Sequence, residues 1–176
     1  MILRKINAWF GLITTLLLLD HAIFHAVWML SKGSIEKSAN IMPVILYGSM
    51  VIHAIISIIL VVFEKKGDES KKIYGYPKLN KTTYIQRASG ILLMLFTALH
   101  VLGAMGITKP PLIVHAILPP LFFTLALMHT AISTVKAFIT LGIGNAKFIK
   151  ISDIVIKVIC GITLIADVVG FYLFVV

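Results

Sequence analysis

The sequence predicts an all-α integral membrane protein built from five transmembrane helices. Three observations predict it. Of the 176 residues, 59% are apolar and only 13% charged, and the mean hydropathy is +1.02, against roughly a quarter charged in an ordinary soluble domain. The apolar residues fall into five runs, each long enough for the roughly 20 residues that cross a bilayer. The charge sits between those runs, where membrane topology is set. That placement accounts for the net charge of +9 without a nucleic-acid partner. The chain reads as one domain, 1–176.

The expected spans are Ile6 to Leu30, Ile41 to Phe63, Tyr84 to Ile107, Leu112 to Ile139 and Ile151 to Val176. The first is too long for a secretory signal and lacks a small-residue cleavage site. Ser38 or Asn40 is the expected N-cap of the second span, and Ser152 or Asp153 that of the fifth. Pro110 and Pro111 suit the first turn of the fourth, where a missing N–H costs little. Pro119 and Pro120 lie inside it and are expected to kink it. Trp9, Trp28 and Tyr84 near span ends fit an interfacial aromatic belt.

Lysine and arginine orient the bundle. With the N-terminus inside, 13 of the 16 basic residues fall on inner segments, and only Lys32, Lys37 and Lys109 fall outside. The positive-inside rule therefore places the N-terminus in the cytoplasm and the C-terminus outside. The basic stretches Glu64 to Lys81 and Leu141 to Lys150 then face the cytoplasm. The lone Cys160 allows neither an intrachain disulfide nor a thiolate cluster and reads as a small helix-packing residue.

All six histidines, His21, His25, His53, His100, His115 and His129, lie within spans. Ionisable groups at membrane depth are costly and usually mark function. His21 and His100 each lie about 16 residues beyond the inner end of an outward-running helix, or about 24 Å deep at the helical rise. His53 and His129 lie about 11 residues from the inner ends of inward-running helices, or about 16 Å. The depths thus define an outer pair and an inner pair about 8 Å apart, each drawn from two helices. Facing neutral imidazoles at one level are what bis-histidine haem ligation requires. Zinc ordinarily takes three or four protein ligands in a tight cluster. The bundle is therefore expected to bind two haems b through His21, His100, His53 and His129.

An internal echo accompanies the outer pair. Gly11 precedes His21, and Gly90 precedes His100, by the same ten residues. That interval is nearly three turns, so each glycine shares a face with its histidine. A glycine there lets a flat group or another helix approach the backbone. His25, one turn beyond His21, is an alternative ligand, a quinone contact or an interfacial residue. His115 reads as interfacial. Asp20 and Asp167 read as helix-packing partners, with proton carriage as the alternative.

The motif Gln86-Arg87-Ala88-Ser89-Gly90, with His100 ten residues after the glycine, resembles the Arg-x-Ser/Thr-Gly…His pattern of the di-haem cytochrome b membrane anchors of succinate:quinone oxidoreductases, the succinate dehydrogenase and fumarate reductase family. Five helices, an internal N-terminus and a histidine on each of the first four are also similar to that family. The resemblance implies His21 with His100 at the outer haem and His53 with His129 at the inner one. It places Arg87 and Ser89 near the inner haem or a cytoplasmic-side quinone site, with Arg87 able to pair with a propionate.

The function this implies is an electron conduit in the inner (cytoplasmic) membrane, between a quinone pool and a cytoplasmic flavoprotein and iron–sulfur partner. The chain has no Gly-rich dinucleotide motif and no cysteine ligand set, so those cofactors are expected on other chains. It is then an electron-transfer subunit of a quinone-linked oxidoreductase rather than an enzyme alone. The alternatives are a stand-alone haem b protein (cytochrome, carrier or sensor) and a small proton-coupled transporter using His and Asp.

Overall fold

The computed structural model describes residues 2–34, 42–67, 81–107 and 112–175, without the side chains of 63–67, 81, 104, 112–116 and 175. Five helices fill them: α1 (Ile2–Leu30), α2 (Met42–Gly67), α3 (Lys81–Ala104), α4 (Leu112–Leu141) and α5 (Ala146–Val175). All five are long and apolar enough to cross a membrane. No strand occurs among the described residues. Backbone groups in lipid must be satisfied within the segment, and a helix does this with local bonds alone.

Three of the helices, α1, α3 and α5, begin earlier than the apolar runs suggest. α1 starts at Ile2 rather than Ile6, so Arg4 and Lys5 form part of its first turns. Long basic side chains at a helix end can carry their charge to the interface while their stems stay with the helix. α3 starts at Lys81 rather than Tyr84. α5 starts at Ala146, and its cap is neither Ser152 nor Asp153. Asn145 is the cap, its Oδ1 accepting the Phe148 N–H at 2.9 Å. Asp153 instead pairs with Lys157 one turn on, at 2.6 Å. The loop expected up to Lys150 is therefore only Gly142 to Asn145, and Lys147 and Lys150 are helical. The expected caps Ser38 and Asn40, the prolines Pro110 and Pro111, and most of the Glu64 to Lys81 segment lie outside the described residues.

Three helix ends close in the same way. After α3, Ile107 N–H bonds Leu102 C=O and Gly106 N–H bonds Gly103 C=O, each at 3.0 Å. After α4, Ile143 and Gly142 bond Phe138 and Ile139 likewise. Gly106 and Gly142 hold the left-handed position that this double closure demands. After α1 the same pair of bonds puts a lysine there, Lys32 at φ 51°.

In contact order the helices run α2, α1, α4, α3, with α5 packed on both α1 and α4. α4 is the most buried span, at 33%, and α2 the least, at 11%. Small residues make the close approaches, as in other membrane bundles. Ala22 and Ala26 are buried, and Gly170 of α5 leaves room for Met29 and Ala26 of α1. Thr15 of α1 meets Thr134 of α4 at 3.4 Å. Large apolar side chains such as Leu16, Ile91 and Ile162 point outward, as hydrocarbon surroundings allow. Cys160 is buried and free, as a packing residue would be. Trp9 and Tyr84 are exposed near the N-terminal ends of α1 and α3.

Candidate functional site

Neither α1 and α3 nor α2 and α4 pack extensively on each other. The two histidine pairs expected from the sequence thus lie on helices across the bundle from one another.

On the α1–α2 side, the His53 ring lies against Gly11. A Cβ at Gly11 would stand 3.1 Å from His53 Cε1. His53 Nδ1 is 3.2 Å from the Asn7 carbonyl of α1. A carbonyl only accepts, so Nδ1 carries the proton and Nε2 keeps its lone pair. Asn7 is itself held across the interface, its Oδ1 accepting from Ser57 at 3.2 Å.

The α3–α4 side repeats the arrangement. A Cβ at Gly90 would stand 3.1 Å from His129 Cε1. His129 Nδ1 is 2.9 Å from Ser89 Oγ, and Ser89 Oγ donates to the Gln86 carbonyl at 3.0 Å. A hydroxyl has one proton to give. With that proton on Gln86 O, His129 Nδ1–H must be the donor to Ser89, and Nε2 is again the free nitrogen. A polar cluster continues toward the N-terminal end of α3. Gln86 Nε2 donates to Ser133 at 3.2 Å, and Lys136 Nζ donates to Gln86 Oε1 at 2.7 Å and Thr83 Oγ1 at 3.1 Å. Arg87 lies within electrostatic reach of Lys136, and His53 within reach of His129.

The glycines of the internal echo therefore seat the histidine of the following helix, Gly11 for His53 and Gly90 for His129. The sequence carried the Gly-to-His interval within each helix. The partner across the interface had no spacing that announced it, since the two cross-helix intervals are unequal.

A third cluster lies further along α1. His25 Nδ1 stands 3.7 Å from Asp167 Oδ1 of α5, an ion-pair distance rather than a hydrogen bond. Asp167 is 0% exposed. His25 Nδ1 and both Asp167 oxygens have no hydrogen-bond partner among the described residues. They border a cavity of about 30 Å³ shared with His21, His100, Phe122 and Phe123, roomy enough for roughly two waters. The His21 and His25 rings stack at 6.3 Å. Phe122 stacks on His100 at 5.3 Å, and Phe123 meets His25 at 5.6 Å. The sequence named Asp167 as a packing partner, and the structure gives that partner as His25. Asp20 is exposed on the surface of α1. The side chain of His115 lies outside the described residues.

Among the described residues no three His, Cys, Asp or Glu side chains converge on a metal position. A group with four in-plane donors of its own asks less of the protein: two imidazoles with an open nitrogen each and a gap between the helices that carry them. His53 and His129 fit that demand in tautomer, and α2 and α4, which carry them, do not pack extensively on each other. No family model, curated protein or solved structure matches the chain.

Proposed function

We propose that the protein is a di-haem cytochrome b, carrying electrons between a membrane quinone pool and a cytoplasmic flavoprotein and iron–sulfur partner of the succinate dehydrogenase or fumarate reductase type. The observation that carries the reading is the duplicated histidine seat. On two separate helix pairs an imidazole rests on a glycine with Nδ1 engaged by an oxygen of the neighbouring helix. Ligating histidines characteristically give their second nitrogen to such a partner, which fixes tautomer and ring orientation.

Haem b held by two imidazoles supplies a one-electron couple without an open position for substrate. The chain's own residues do the rest. His53 and His129 would hold the inner group, and His100 with a histidine of α1, His21 in the sequence reading, the outer one. Asn7 and Ser89 fix the inner imidazoles. Lys136 and Arg87 place positive charge at the inner end, where a carboxylate of the bound group would be paired. The basic inner segments would steer an acidic soluble partner toward the cytoplasmic face of the inner membrane.

A pyridine haemochrome assay on the detergent-purified protein tests the core of this reading. Two haems b per chain are expected, with a reduced-minus-oxidised spectrum of low-spin type. A ratio of zero overturns it, and a ratio of one leaves only one histidine pair standing. Co-purification of a flavoprotein with an iron–sulfur protein tests the partner, and its absence favours a stand-alone cytochrome.

A further inference from the structure

The outer site has two candidate histidines on α1, and register counted from the two ends of the helices gives different answers. His21 is 19 residues beyond the start of α1, as His100 is beyond the start of α3. Counted from the outer ends, His25 lies five residues before Leu30 and His100 four before Ala104. α1 is the longer helix, so both matches cannot describe one level.

α4 decides between them. Phe122 stacks on His100 and Phe123 meets His25. Consecutive residues of one helix are about 1.5 Å apart along its axis, so His25 and His100 flank α4 at essentially one depth. His25 also lies within electrostatic reach of His100. His21 is one turn deeper, about 6 Å along α1.

His25 shares one feature with the inner histidines, an Nδ1 that faces an oxygen of another helix, though without their hydrogen bond or glycine seat. Its Nδ1 is the ring nitrogen directed at an oxygen of another helix, Oδ1 of Asp167, which leaves Nε2 as the nitrogen turned elsewhere. The oxygen belongs to a carboxylate that is completely buried at membrane depth and has no hydrogen bond among the described residues. Such a group costs several kcal/mol unless it acquires a partner. An imidazole whose Nδ1–H is aimed at it supplies one. A carboxylate behind a histidine is the arrangement that makes imidazole a firmer, more basic ligand.

We propose that His25, held by Asp167 of α5, is the α1 ligand at the outer site opposite His100, with Asp167 as its positioning residue. The proposal rests on the di-haem reading above. It gives α5, which bears no histidine, a direct part in the site, and it gives the buried carboxylate its reason. His21 remains beside the pair, stacked on His25.

The test is a set of single variants purified in detergent, read by haem content, low-temperature electron paramagnetic resonance and redox titration. His25→Gly is expected to lose one low-spin haem signal of two, and added imidazole to restore it. His21→Gly is expected to keep both. Asp167→Asn is expected to retain both haems but shift the midpoint potential of the outer one upward, because a neutral amide donates less electron density through the imidazole. The inner signal should stay in place as the fold control. If His21→Gly loses the outer signal and His25→Gly keeps it, the proposal is overturned and the di-haem reading stands. A wild-type protein without haem overturns both. Should neither glycine variant assemble, Asp167→Asn decides: an outer potential unchanged from wild type overturns the proposal, and a selective shift upholds it.

Discussion

The hydroxyl of Ser89 shows how far one side chain can constrain a site. It gives its single proton to Gln86 and accepts from His129, so the tautomer of His129 follows from counting protons. Ser89 was legible in the sequence only as part of a motif, near an inner haem or a quinone. What it touches depends on how α3 packs against α4, which no local pattern records. Ser89→Ala is expected to leave the helices intact and free the imidazole to rotate. Loss of such an outer-shell partner typically weakens a ligated group roughly 10- to 100-fold. Titrating haem into the haem-free protein should show a loss of that size at one site of two, with the other unchanged. A uniform loss at both sites, or none, would show that Ser89 does not orient His129.

Among the elements, helix existence was readable and helix ends were not. The five apolar runs located all five helices, because in lipid an apolar run of that length has few other options. The ends depend on caps and polar turns. Asn145, not the better-looking Ser152 or Asp153, starts α5, because the helix continues through the polar residues of the interface. The end of α1 carries a local cost. Lys32 adopts φ 51° at the position where α3 and α4 place Gly106 and Gly142. An L-residue pays about 1–2 kcal/mol for that conformation, partly offset in any comparison with glycine by the freer unfolded chain. Lys32→Gly is therefore expected to stabilise the protein by roughly 1 kcal/mol. Unfolding in mixed micelles would show a higher midpoint, and a lower one would mean that the turn is not strained. Because Lys32 is one of few basic residues on the proposed outer side, the same variant should not invert the bundle.

At the scale of the whole molecule, the sequence yielded a five-helix bundle and a set of histidines, but not how the helices neighbour one another. Depth arithmetic treats helices as parallel rods of common origin. Here α1 and α3 do not pack extensively on each other, so the equal distance of His21 and His100 from their helix starts does not put them at one level. That is why spacing singled out His21 while packing sets His25 beside His100. Orientation, by contrast, rests on charge alone, and it decides which histidine pair is nearer the cytoplasm. Thirteen basic residues against three is a strong asymmetry on the scale that governs insertion. The single cysteine makes the test clean. Cys160 is buried and the chain has no other, so Cys160→Ala gives a background without reactive thiols, at the modest cost of one small side chain. Ser34→Cys, in the exposed turn after α1, and Lys147→Cys, in the exposed first turn of α5, then report opposite faces. With a membrane-impermeant maleimide on intact cells, Ser34→Cys should label and Lys147→Cys should label only after permeabilisation. The reverse pattern would put the inner pair, the Lys136 cluster and the basic segments on the outer face. A cytoplasmic redox partner would then have to meet the His25–Asp167 end of the bundle, where few basic residues are available to steer it.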